Sequence, residues 1–94
     1  MNFAIQILNF NNYQVTIKAI QAIMDNDFND HDIFVLDNGS SNDSYAYLKK
    51  NILEKRLVNK VHLQYSKNNL GFPGGHNFIY QWINSKSSKK YQFH

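Results

Sequence analysis

Ile33-Phe34-Val35-Leu36-Asp37-Asn38-Gly39-Ser40-Ser41-Asn42-Asp43-Ser44 is the stretch that decides the fold. Four successive apolar residues bounded by turn formers read as a short buried strand. An acidic residue ends it at Asp37. Ser40-x-x-Asp43 and the run Ser41-Asn42-Asp43 then offer side-chain oxygens to the orphan amides of a following helix. Asn-Gly is also the strongest short hairpin signal, but the residues after Gly39 cap a helix and do not alternate as a returning strand would. A strand that turns directly into a helix is half of a βαβ unit.

The same alternation continues on both sides. Phe3-Ala4-Ile5-Gln6-Ile7-Leu8 is a mostly apolar strand of the kind covered on both faces. Tyr13, Ile17, Ile20 and Met24, with Thr16 and Ile23 beside them, form one helical stripe that Asn11 or Asn12 can cap and that Asp25-Asn26-Asp27 ends. Tyr45, Leu48 and Ile52, flanked by Leu53 and Leu57, mark a second helix. Val61, Leu63 and Tyr65 alternate with His62, Gln64 and Ser66, which predicts a strand near the sheet edge with one wet face and His62 facing solvent. After a glycine-rich segment, Phe78, Ile79, Trp82 and Ile83 space a third helix, with Trp82 and Phe78 in the core, before Ser85-Lys86-Ser87-Ser88 breaks it. Tyr91-Gln92-Phe93 starts a fourth strand. The expected fold class is therefore α/β: an open, mainly parallel sheet in the order β-α-β-α-β-α-β with right-handed crossovers and flanking helices, forming a single domain over residues 1–94.

Composition narrows the function classes. A chain of 94 residues with 43% hydrophobic content suits one globular domain of modest stability, since a domain this small buries only about 60–65% of its unfolded surface. The absence of cysteine rules out a disulfide framework and thiolate metal sites, and fits a reducing compartment, with the cytoplasm expected. No apolar run approaches the ~20 residues of a membrane span, and the N-terminus lacks the order of a signal peptide. The net charge of +3 does not make a nucleic-acid surface. Lys49, Lys50, Lys55 and Arg56 fall late in the second predicted helix, and Lys86, Lys89 and Lys90 at the end of the third, where cations complement the helix dipole. No basic stripe is interleaved with exposed aromatics.

Three loops follow the first three strands: Asn9-Phe10-Asn11-Asn12-Tyr13, Asp37 to Asp43, and Asn68-Asn69-Leu70-Gly71-Phe72-Pro73-Gly74-Gly75. In an open parallel sheet such loops gather along one edge, where ligands settle. Neither the Gly-x-Gly-x-x-Gly fingerprint nor the Gly-Lys-Ser/Thr loop is present. A carboxylate at the second strand end accepts hydrogen bonds from a ribose diol or a base edge and repels phosphate, so Asp37 points to a nucleoside. Taken alone, the Asn9 to Asn12 cluster fits helix capping as well as ligand contact, and the glycines from Gly71 fit a plain loop. His76 and His94 read as surface residues and make no metal site.

Taken in order and at their spacing, Ile7 to Tyr13, Ile33 to Ser44 and Asn68 to Asn77 resemble the successive motifs of family 2 glycosyltransferases, especially the rhamnosyltransferase-like bacterial branch. The likeness covers nearly the whole chain. It implies the Rossmann-like half of a GT-A fold, a nucleotide-diphosphate-sugar donor of the UDP or dTDP type, inverting transfer to a glycan or polysaccharide acceptor, and work on the cytoplasmic side. By position it sets Asn9, Asn11 and Tyr13 beside the nucleotide, Asp37 on the base or ribose, and Asn38 and Gly39 in the supporting turn. Asn69, Gly71, Gly74 and Asn77 would line the approach to ribose and diphosphate, with a helix starting near Gly74 and Lys67 nearby. The family also carries an Asp-x-Asp-like motif that holds a divalent metal, Mg or Mn, and a later carboxylate base. Neither precedes His94, so the 94 residues are expected to bind donor nucleotide without catalysing transfer and without binding a metal themselves.

The alternative is a non-catalytic α/β interaction module that self-associates or binds a partner. Either way, an uncovered fourth strand at Tyr91 and Phe93 predicts a homo-oligomer through the C-terminal edge.

Overall fold

A computed structural model describes residues 2–25, 31–86 and 91–93. It contains β1 (Asn2–Asn9), α1 (Tyr13–Met24), β2 (His31–Asn38), α2 (Ser44–Glu54), β3 (Val61–Ser66), α3 (Gly71–Lys86) and β4 (Tyr91–Phe93). The four strands form one sheet in the order β3-β2-β1-β4, and every neighbouring pair is parallel. The expected α/β class and the edge position of β3 are both observed.

Alternation along β2 explains the layering. Ile33 and Val35 point to one face, where they meet Ile20 of α1 and Leu48 and Ile52 of α2. Phe34 and Leu36 point to the other, where Ile79 and Ile83 of α3 cover them together with Ala4. Ile33, Val35 and Leu36 are fully enclosed, and each contributes about 1.5–3 kcal/mol of burial free energy. Among the described residues, the sheet thus carries two helices on one face and α3 on the other.

Local chemistry fixes the helix ends. The Val15 amide donates to Asn12 Oδ1 at 3.4 Å, so Asn12 rather than Asn11 caps α1. At the end of α2, Arg56 takes a left-handed φ of 57°, and its amide and that of Leu57 donate to Leu53 O and Ile52 O at 3.1 and 2.9 Å. This is the Schellman pattern, with arginine in the place usually held by glycine.

Several expectations need correction. Ser40 and Asp43 do not cap α2. Asp43 makes no side-chain cap bond; within the expected Ser41-Asn42-Asp43 run it is Asn42 whose Oδ1 accepts from the Ser44 amide, at 2.9 Å. Helix α2 ends at Glu54, which leaves Lys55 at its C-cap and Arg56 beyond. Lys86 is the last residue of α3, while Lys89 and Lys90 lie outside the described residues. Leu53 and Tyr65 are each 58% exposed, beside the edge strand β3, which among the described strands pairs with β2 alone. His62 is half-buried, stacked on Phe34 at a centroid distance of 4.7 Å, with Nε2 3.9 Å from Asp32 Oδ1. Helix α3 starts at Gly71, not Gly74. Its first turn tolerates Pro73, since early helical amides have no intrahelical acceptor.

Candidate functional site

The carboxyl ends of β1 and β2 lie side by side, with Asn9 opposite Asp37 in the ladder. Both side chains are buried, 1% and 5% exposed. Asn9 Nδ2 donates to Asp37 Oδ1 at 2.9 Å, and Asn9 Oδ1 accepts from Thr16 Oγ1 at 2.6 Å. The Thr16 hydroxyl therefore fixes which way the Asn9 amide faces. Ser40 Oγ also donates to Asp37 Oδ1. Both donors converge on one carboxylate oxygen, and among the described residues nothing donates to Asp37 Oδ2. A buried carboxylate needs such hydrogen bonds to hold its charge away from water.

Asp37 lines a cleft of about 220 Å³ with Ser40, Asn42, Tyr45, Tyr65, Ser66 and Lys67. The rings of Tyr45 and Tyr65 meet edge to face at 5.0 Å. An acidic floor, two aromatic walls and one exposed cation at the mouth make a site for a polar, ring-bearing ligand.

The other residues singled out by sequence hold the loops together. Asn11 sits in the left-handed region at φ 55°. Its Oδ1 accepts from the Ser41 amide at 2.8 Å, and its own amide donates to Ser40 Oγ at 2.9 Å. The first loop is thereby bolted to the second. Asn38 does the same for the third: its Oδ1 accepts from the Leu70 amide at 2.9 Å and its Nδ2 donates to Gly71 O at 3.1 Å. Gly39, at φ 75°, lies under the third loop, where an added Cβ would come well within 3.0 Å of Asn69 N and Asn68 C. Asn69 Oδ1 accepts from the Gly71 amide at 2.7 Å.

The single rim drawn from sequence is divided in the structure. Tyr13 stacks on Tyr47 of α2 at 4.5 Å and lines a different cleft, with Ile17 and Lys50. Gly74 and Asn77 line a groove along α3 with Phe78 and Trp82. Of the nucleotide-binding residues that the resemblance implies, Asp37 alone lines the cleft, with Lys67, expected nearby, also on its wall and Asn9 behind Asp37. Sequence reading missed Thr16, Tyr45, Tyr65 and Ser66 as parts of this corner. Thr16 lies on the same helical stripe as the core residues, so periodicity assigned it to packing. The alternation of β3 turned Tyr65 inward, whereas its position at the strand end puts it on the rim.

Among the described residues, no group of three or more His, Cys, Asp or Glu side chains could hold a metal ion. No described helix is long and apolar enough to cross a membrane. Comparison of the chain with protein-family models finds no match, and comparison with curated proteins finds none either.

Proposed function

We propose that these residues are the donor-nucleotide-binding portion of a family 2 glycosyltransferase, which transfers a sugar from a nucleotide-diphosphate sugar to a glycan or polysaccharide acceptor in the cytoplasm. The observation that carries this reading is the half-satisfied Asp37 carboxylate. One oxygen is held by Asn9 and Ser40, and the other is left for a ligand donor in a cleft walled by Tyr45 and Tyr65. A uracil N–H or a ribose hydroxyl supplies such a donor. The cleft, about 220 Å³, is smaller than the roughly 300–1,000 Å³ that encloses a drug-sized ligand. It suits the nucleoside, with diphosphate and sugar outside it toward Lys67, whose ammonium pairs with phosphate oxygens. The divalent Mg or Mn of that family has no fitting ligand set among the described residues, and the nucleoside contact uses none.

The test is titration of uridine diphosphate, without added metal, into the wild type and Asp37→Asn, followed by calorimetry or ligand-observed NMR. Asparagine keeps an oxygen for Asn9 and Ser40 and presents an amide donor where the free oxygen stood. Loss of a hydrogen bond to a charged group costs about 1.5–3 kcal/mol, so a millimolar interaction should weaken by about tenfold or more. Equal binding by the two proteins would reject the nucleoside role of Asp37.

The second reading, an α/β interaction module, is favoured by one feature: Phe72 is 73% exposed and Leu70 42% exposed at the start of α3, beside an apolar groove.

A further inference from the structure

Strand β3 pairs with β2 alone among the described strands, and the register shows which of its backbone groups that pairing uses. In a parallel ladder every second residue turns both its amide and its carbonyl to the neighbouring strand. The Ile33 amide donates to Lys60 O at 2.8 Å, so Lys60, His62, Gln64 and Ser66 are the residues whose backbone faces β2. The amides and carbonyls of Leu63 and Tyr65 therefore face away from the sheet, and nothing in the protein bonds to them there. The Val61 amide, turned the same way, is taken by Leu57 O at 2.8 Å. The open stretch runs from the Val61 carbonyl to Tyr65.

A seat for side chains lies directly beside this edge. Between α2 and β3 is a cleft of about 190 Å³, lined by Tyr45, Ile52, Leu53, Val58 and Leu63 with Lys49 at its side. Leu53, Val58 and Tyr65 are each more than half exposed. A strand laid along β3 would bond through its main chain to Leu63 and Tyr65 and set alternate side chains over the cleft. In strand addition of this kind, the main-chain bonds give affinity and the pockets give specificity.

Charge selects the occupant. All seven acidic residues of the chain stand at or before Glu54, and from Lys55 onward every acidic or basic side chain other than histidine is a cation. Lys49, beside the cleft, and Lys67, just past the end of β3, are both exposed, and neither is held in an ion pair. Asp37 lines the second cleft with Lys67 but is buried and already holds Asn9 and Ser40. Lysines along an edge keep a second copy of the same edge away. The same lysines draw in a segment of opposite sign. We infer that β3 is a docking edge for an acidic, extended segment of a partner protein, which joins the sheet as a further strand. The inference does not depend on nucleotide binding.

The probe is the peptide acetyl-Glu-Thr-Val-Thr-Val-Thr-Glu-amide, in which the period of a strand puts the valines and both glutamates on one face. Titrated into the isotope-labelled protein and followed by NMR, it should shift the Leu63 and Tyr65 amides and slow their exchange with solvent. The His62 and Gln64 amides, already bonded to β2, should change little. Binding should saturate with a Kd below about 1 mM. Lys49→Glu, an exposed substitution whose fold circular dichroism will check, should weaken it about tenfold or more. Replacing both glutamates of the peptide by lysine makes the same test without altering the protein, and should also cost about tenfold or more. A peptide that does not saturate at several millimolar overturns the inference. So does binding that leaves Leu63 and Tyr65 exchange unchanged, or that ignores both charge reversals. Two further results overturn it by giving the edge to another occupant. Protection of the same two amides in the protein alone, rising with its concentration, would assign the edge to a second copy, and tighter binding of decathymidylate than of the peptide at these residues would assign it to a nucleic acid.

Discussion

Gly39→Ala should lower stability by about 3 kcal/mol or more, which for a domain of this size is a drop of about 12–24 °C in Tm. Two costs combine. The left-handed φ of 75° strains any residue with a Cβ, a cost on the order of 1 kcal/mol. The larger cost is steric, because the new methyl would fall inside the backbone of Asn68 and Asn69, and neither can swing aside as a flexible side chain would. Making room lifts the third loop away and breaks both bonds that Asn38 makes to Leu70 and Gly71. Gly71→Ala is the matched control. Gly71 has nearly the same φ, 74°, but its Cβ would meet nothing nearer than 4.0 Å, so it should lose only about 1 kcal/mol. Thermal unfolding followed by circular dichroism separates the two. Equal losses would show that the third loop does not press on Gly39.

Asn9→Ala should cost about 3–4 kcal/mol, because it removes the bonds that a buried amide makes to Thr16, Asp37 and, at 3.4 Å, Ser40 Oγ, and strands the first two of those groups. Thr16 loses its acceptor and Asp37 one of the two donors to Oδ1, each in a site nearly sealed from water. The buried carboxylate, left with Ser40 as its one donor, is the costlier of the two. Asn11→Ala breaks several bonds at an exposed position where water can replace them, and should cost no more than about 1 kcal/mol. Urea denaturation of the two variants gives the comparison. A smaller loss for Asn9→Ala than for Asn11→Ala would mean that the corner of Asn9, Thr16 and Asp37 does not support the fold.

The strand and helix order was legible because hydrophobic periodicity is a property of the chain itself. Ile33 to Leu36 could hardly be anything but a buried strand, and the three- and four-residue steps of Tyr13, Ile17, Ile20 and Met24 admit only a helix. The start of α3 was not legible. Gly71, Pro73, Gly74 and Gly75 all disfavour helix by local propensity, and packing overrides it: Gly75 is where a Cβ would come within 2.9 Å of both Leu8 methyls, so a glycine is what lets the helix sit on β1. The candidate site was half legible. An acid at the end of a central strand announces itself, and Asp37 lines the cleft. The asparagines do not announce themselves, since one side chain can cap a helix, tie two loops or reach a ligand, and the sequence is identical in all three cases. Asn12 does the first and Asn11 and Asn38 the second. Tyr13 was drawn to the rim by its neighbours in sequence, whereas the turn of α1 carries it to Tyr47.

The strand order has a kinetic consequence. No two neighbouring strands are adjacent through a tight turn, and β1 pairs with β4 by joining residues 2–4 to residues 91–93. Every seam of the sheet closes a loop, and the entropy of closure grows with the logarithm of loop length. The seam between β1 and β2, bridged by α1, closes the shorter span and can form while the chain is still being made. The seam to β4 spans almost all 94 residues. Among the described strands, β4 is therefore the one whose residues become available last as the chain is made, and until Tyr91, Gln92 and Phe93 arrive the first strand can pair on its β2 side alone.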